Sequence, residues 1–247
     1  MDKEKAGLSI LKFILFALVF ITVGVGICML WSFIGRLAVK GIDDVLAESE
    51  KELPTVIIDA GHGGTDGGAS GIGSVVEKDL NLDIALRLSD ILSAAGIPNR
   101  LTRSEDIMLE NPGSSSKKNG DLAARKKIAE SYTNAVFVSI HMNSFPIRKY
   151  SGLQVYYSPN NEKSRELAEI IQNDVAKRLQ PENKRQIKAA TSNIYLLDNL
   201  NCPAVLVECG FLSNPEECTL LADEAYRRKL TLALACSVCK YIYGNTP

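Results

Sequence analysis

The sequence predicts an α/β layer fold, a sheet with helices on both faces, preceded by one apolar N-terminal helix. Three observations carry that expectation. Short β-branched runs end in glycine or histidine, as in TVIIDAG (55–61) and AVFVSIH (135–141). Between such runs lie amphipathic stretches of about 12–20 residues, and strands alternating with helices of that length build layered α/β folds. Upstream of both, Phe13 to Gly35 is a run of 23 residues without a charge.

The elements follow in chain order. A helix of 23 residues is about 35 Å long, enough to cross a hydrocarbon core of about 30 Å with some tilt. Residues 1–36 therefore read as an uncleaved signal-anchor. The competing reading is a cleaved signal peptide, whose apolar region is usually about 7–15 residues and closes on small residues. Here the run is longer and closes on Trp31, Phe33, Ile34 and Arg36. Cys28 follows bulky Ile27, which does not suit a lipoprotein cysteine. Lys3, Lys5 and Lys12 favour an N-terminus inside and a domain outside. Residues 37–53 are a charged linker, and 54–247 form the folded domain.

The net charge of −1 hides a segregation. Residues 1–36 hold four basic and two acidic side chains; the rest hold 24 and 27. A slightly acidic domain has no basic field for nucleic acid. Five cysteines lie outside the apolar run. An odd number in a chain this large reads as buried thiols, including the Cys236–Cys239 pair in its helical stretch.

Within the domain, TVIIDAG is a buried strand and a glycine-rich loop follows it. Residues 77–95 repeat Leu80, Ile84, Leu88, Ile91 and Leu92 at helical spacing, and Gly96 ends that helix. IPNRLTR (97–103) is a strand, 104–120 an exposed loop, 121–132 a helix. AVFVSIH and GLQVYYS (152–158) are strands, and 161–180 is an amphipathic helix. NIYLL (193–197) and PAVLVECGF (203–211) are two more strands. Helical sequence covers 215–243.

The chain has two histidines, His62 and His141, each at the carboxyl end of an expected buried strand. In open α/β sheets, sites gather at those ends. Glu77 opens the helix after the glycine loop and can point back toward His62, although a dipole-complementing charge there is the commoner role. Glu208 interrupts an otherwise apolar strand, where a carboxylate is costly to bury without a partner. A catalytic zinc takes three protein ligands, such as two histidines and a carboxylate, and keeps one position open. His62, Glu77 and His141 supply that set, and Glu208 supplies a general acid/base. The loop GHGGTDGGA (61–69) lacks the glycine spacing of a dinucleotide site and the Gly-Lys-Ser/Thr of a P-loop. Cys209 should face away from Glu208 on the strand, so a Cys–His enzyme is disfavoured.

Several separated motifs now carry a resemblance: VIIDAGHGGTDGGA (56–69), Glu77, LTRSED (101–106), Arg125 on its helix, FVSIHMNS (137–144) and PAVLVECGFLSNPEE (203–217). In this order they resemble the zinc-dependent N-acetylmuramoyl-L-alanine amidases over about residues 54–243. The resemblance implies a twisted, mostly parallel sheet of about six strands. It implies zinc on His62, Glu77 and His141, with Glu208 relaying protons, and hydrolysis of the amide between N-acetylmuramic acid and L-alanine in peptidoglycan. Asn143, Arg103 and Arg125 are candidate substrate contacts; Asn143 could instead support the metal ligands, and the two arginines could instead pair with buried carboxylates. A bare catalytic domain on an apolar N-terminal segment resembles the germination-specific amidases of the spore cortex, placed outside the cytoplasm and tethered to membrane. Lacking a wall-binding module, such a domain is expected to use an exported or lipid-anchored accessory protein. A vegetative wall amidase and an inactive wall-binding scaffold are the alternatives.

Overall fold

The structure, a computed structural model, describes all residues except 1–14, 17, 19, 38, 41–51, 111–112 and 245–247. The chain divides into two units, one ending at Glu52 and one spanning Leu53–Pro247. The first contains α1, helical through Phe20–Leu37 with its side chains exposed, and is long and apolar enough to cross a membrane. Most of the expected linker lies outside the described residues.

In the second unit β1 (Thr55–Ala60), β2 (Asn99–Leu101), β3 (Ala135–Asn143), β4 (Gln154–Tyr157), β5 (Lys188–Ala189) and β6 (Ala204–Phe211) form one sheet in the order β2-β1-β3-β6-β4-β5. β1, β2, β3 and β6 are parallel; β4 runs antiparallel to β6 and carries β5 parallel to itself. The helices are α2 (Glu77–Ala94), α3 (Lys117–Glu130), α4 (Glu162–Leu179), α5 (Tyr195–Asn199), α6 (Pro215–Ala222) and α7 (Glu224–Gly244). This is the mostly parallel six-stranded α/β sheet the sequence predicts.

Alternation along the strands separates two cores. Val56, Ile58, Val138, Ile140, Val205 and Val207 face α2, α4 and α7. Ile57, Phe137, Ala204 and Leu206 face α3 and α5, with Leu196 and Leu197 closing over them. Toward the strand ends this second face turns polar: Asp59, Ser139, His141 and Glu208 occupy it. That change of chemistry along one face is what creates a site.

Some boundaries differ from expectation. NIYLL is not a strand: α5 covers Tyr195–Asn199 as one short helix. The four-residue apolar run Ile194–Leu197 lacks the length to separate strand from helix by periodicity. α3 starts at Lys117, four residues early, because Ser116 Oγ caps it by accepting from the Asn119 amide at 3.2 Å. β5 is two exposed residues and has no apolar signature. Cys209 and Cys218 are buried thiols as expected, but Cys236 is exposed, and all six cysteines are free.

Candidate metal centre and its support

Three elements converge at the carboxyl ends of β1 and β3. His62 follows β1 with a left-handed backbone (φ 61°), Glu77 is the first residue of α2, and His141 lies near the end of β3. Glu77 Oε1 is 3.2 Å from His62 Nε2 and 3.0 Å from His141 Nδ1. The three donor atoms all lie within 4.8 Å of one another. Zinc–nitrogen and zinc–oxygen bonds of about 2.0–2.2 Å put neighbouring ligand atoms of a tetrahedron about 3.3 Å apart. The donor set and its spacing therefore fit zinc.

Glu77 is only 3% exposed. Its Oε2 accepts from the Ala69 amide (2.8 Å) and its Oε1 from the Met142 amide (3.0 Å). Burial alone would raise its pKa, but hydrogen bonds and charge from His141 and His62 override that and hold the carboxyl far below the usual range. Asp66 Oδ2 sits 2.9 Å from His62 Nδ1 and leaves Nε2 to face Glu77. Asp66 thereby places a negative charge against the ring edge opposite Glu77.

The glycines of the loop have a specific job. A Cβ on Gly61 would lie 2.3 Å from His141 Cε1 and Nε2, so only glycine lets that ring stand beside the loop. Gly61→Ala is expected to displace His141 and weaken zinc binding about 10–100-fold, the scale of a lost supporting contact. Competition against a metal chelator measures this, and unchanged affinity would show that the loop yields instead.

Glu208 pairs with His141 across β3 and β6, so the two side chains share a face. Burial pushes its pKa up to about 7; the His141 charge opposes this and Glu77 adds to it. Among the described residues its buried Oε2 has no hydrogen-bond partner. A free, half-neutral carboxyl beside a metal-type cluster is equipped to accept and return a proton. Cys209 points the other way, fully buried in the opposite core, and burial drives its thiol pKa up.

Arg103 and Arg125 are turned inward, not toward the cleft. Arg125 is 1% exposed and donates to Asp59 Oδ1 (2.6 Å), the Ala60 carbonyl (2.7 Å), the His62 carbonyl (2.7 Å) and both Asp121 oxygens. Arg103 is 3% exposed and donates to the carbonyls of Ala60, Gly61, Lys78 and Glu105. Between them they hold the carbonyls of residues 60, 61 and 62. Every guanidinium nitrogen is engaged by protein: Arg125 pairs with the buried carboxylates Asp59 and Asp121, and Arg103 holds backbone carbonyls. Asn143 is half-buried at the end of β3, beyond a bulge that follows His141.

Asp59 is a functional neighbour that sequence reasoning missed. It accepts from Thr102 Oγ1 (2.7 Å), Ser139 Oγ (2.6 Å) and Arg125, and is 1% exposed. The signal was present: like Glu208, it is an acid at the end of an apolar strand.

Residues 56–240 match the family model described as N-acetylmuramoyl-L-alanine amidase. The germination-specific N-acetylmuramoyl-L-alanine amidase of Bacillus subtilis is 35% identical over 189 residues, 75% of this chain and 78% of the relative. The solved CwlD amidase of Clostridioides difficile, in complex with the GerS lipoprotein, is similar with a TM-score of 0.73 and 39% identity, over 78% of this chain and 100% of the other. The amidase AmiC2 of Nostoc punctiforme is 33% identical with a TM-score of 0.66, over 77% of this chain and 97% of the other.

Proposed function

The chain belongs to the N-acetylmuramoyl-L-alanine amidase family, and from that premise we propose that it works with one zinc ion, at the membrane-proximal side of the spore cortex, with an accessory protein. As a member of that family it is an enzyme acting on peptidoglycan, cleaving the amide between N-acetylmuramic acid and L-alanine.

The observation that carries the zinc reading is the triangle of His62 Nε2, Glu77 Oε1 and His141 Nδ1, facing Glu208 across one strand register. Zinc bound there supplies Lewis acidity toward the amide carbonyl and toward water. Glu77 contributes negative charge at the site because its environment keeps it ionised. Glu208 takes the proton from the attacking water and delivers it to the alanine nitrogen as the C–N bond breaks. A carboxyl with a pKa near the working pH serves in both directions. Arg125 holds the His62 carbonyl and Arg103 the Ala60 and Gly61 carbonyls while this happens.

Three observations support the cellular placement. The Bacillus subtilis relative is germination-specific. The Clostridioides difficile neighbour was solved with a lipoprotein. Helix α1 is apolar, exposed and of membrane-spanning length.

The test is metal removal. Chelation is expected to abolish release of peptides that begin with free L-alanine, and zinc to restore it. Mass spectrometry of digested cortex reads the product, and metal analysis of the active protein reads the ion. Full activity in a protein stripped of metal would end the zinc reading. Cortex of normal composition in spores lacking the protein would end the cortex reading.

A further inference from the structure

Next to Glu208, on the side away from His141, the sheet face carries a cation that makes no ion pair among the described residues. Gln154 of β4 stands directly opposite Glu208 of β6. Cross-strand partners share a face with Cβ atoms about 5 Å apart. The Gln154 side chain is 2% exposed and held from both ends: its amide donates to the Gln186 carbonyl, and its Oε1 accepts from Arg185 Nη1 at 3.0 Å.

Arg185 itself is unusually well fixed for a half-exposed arginine. Its Nε donates to the Ser151 carbonyl at 2.7 Å. Its guanidinium lies 4.5 Å over the Phe211 ring and 5.8 Å from Tyr150, and Phe145 stacks edge-on to Tyr150 at 5.2 Å. Aromatic faces hold an arginine plane without neutralising it. Among the described residues Arg185 makes no ion pair, and no hydrogen bond uses its Nη2. Glu217 is near enough to feel the Arg185 charge, but its two oxygens accept from the Gly152 and Phe211 amides. Holding a guanidinium in place with one edge open prepares it for a carboxylate from outside.

We propose that Arg185 is a specificity-determining residue that binds the carboxylate on the second residue of the stem peptide. The inference rests on Glu208 being the group that protonates the departing amine. If it does, the peptide half of the substrate must lie on the Glu208 side of the centre, and the sugar half on the other. The amine belongs to L-alanine, and the next residue of a peptidoglycan stem is a glutamyl unit whose α-carboxyl is either free or amidated. At about 3.3–3.6 Å per residue, that carboxyl falls about 7 Å from the scissile nitrogen. Gln154, one interstrand step of about 4.8 Å from Glu208, carries Arg185 on its Oε1 on the far side from His141. Arg185 also lines a cleft of about 530 Å³ whose charged walls are Lys149, Lys184, Glu182 and Glu217.

The experiment uses the full chain, zinc-loaded in mild detergent, with two muramyl dipeptides differing only in whether the glutamyl α-carboxyl is free or amidated. The protein is expected to prefer the free acid. Arg185→Gln should raise KM for the free acid about 10–100-fold, the worth of one or two charge-assisted hydrogen bonds, with kcat within about threefold. The preference for free acid over amide should collapse, while zinc content stays the same. Arg185→Lys should keep part of the preference, and Lys229→Gln, an exposed cation on α7 outside this cleft, should keep all of it. A ratio unmoved by Arg185→Gln, or equal loss of kcat on both substrates, would overturn the proposal. Failure of the unaltered protein to release an L-alanine peptide from either substrate would overturn the amidase reading beneath it, and the proposal with it.

Discussion

Glu208→Gln is expected to remove nearly all hydrolysis, about 10³-fold or more, while leaving zinc content unchanged. General acid–base groups contribute about 10²–10⁴-fold, and here one carboxyl serves both proton transfers. Glutamine keeps the shape and the cross-strand place opposite His141 but cannot carry a proton. A second effect has the opposite sign. Burial raises the Glu208 pKa to about 7, above the value of 4.5 for an open glutamate. A group with a raised folded pKa contributes stability below its unfolded pKa, and that contribution is lost as pH rises toward 7. At pH 8 the metal-free protein therefore bears an ionised carboxylate whose Oε2 has no hydrogen-bond partner among the described residues. Glu208→Gln should then melt higher than the unaltered metal-free protein, by about 2–4 °C per kcal/mol relieved. The gap should shrink at pH 5. Activity assays and melting curves on metal-free protein read the two effects separately. A variant that is inactive because it has lost zinc, or that melts lower at pH 8, would remove Glu208 from the role of isolated proton carrier.

The scarcity of histidine and the edges of the apolar strands made the centre legible in sequence. His62, His141 and Glu208 each break a β-branched run at its carboxyl end, and the parallel register of β1, β3 and β6 turns those ends into one place. Glu77 was legible only as one of two readings, since an acid at a helix start after a glycine loop can reach back to the strand end or merely complement the helix dipole. The arginines were not. Arg103 and Arg125 are attached to flexible side chains whose destinations are backbone carbonyls, and a carbonyl leaves no mark in the sequence. Arg185 was invisible for a related reason: its importance comes from β4 running antiparallel beside β6, which places Gln154 against Glu208. The alternating pattern of GLQVYYS fixes which residues share a face but says nothing of strand direction. Length sets a similar limit on α5 and β5, where a five-residue helix and a two-residue strand are too short to carry a period.

Arg125→Leu should destabilise the protein by about 3–5 kcal/mol, the cost of leaving buried charge without its counter-ion. Asp59 and Asp121 both depend on this guanidinium, at 2.6 and 2.7 Å. Burial by itself would raise the Asp59 pKa. The Arg125 charge, the Ser139 hydrogen bond and the His141 charge outweigh burial and hold it below 3.8. With a lowered folded pKa, the contribution of Asp59 is present above pH 3.8 and disappears as pH falls through its folded value. Without Arg125 the balance inverts, and burial dominates. Asp59 then has a raised folded pKa, and the variant gains stability as pH falls from 7 toward 4. The penalty measured by urea unfolding of the full chain in mild detergent should be smaller at pH 5 than at pH 7. Adding Asp59→Asn should recover part of it at pH 7. The structural cost reaches the centre through one bond, from Arg125 Nη2 to the His62 carbonyl at 2.7 Å. His62 has a left-handed backbone (φ 61°), a conformation that costs a non-glycine residue about 1–3 kcal/mol unless its surroundings impose it. Arg125→Lys tests that part alone, because an ammonium keeps the charge near Asp59 but offers three donors in place of a planar fork. It should fold, lose about 1–3 kcal/mol of stability, and bind zinc more weakly. If Arg125→Lys matches the unaltered protein in zinc affinity, the clamp on His62 is not what holds the metal ligand, and the arginine serves Asp59 and Asp121 only.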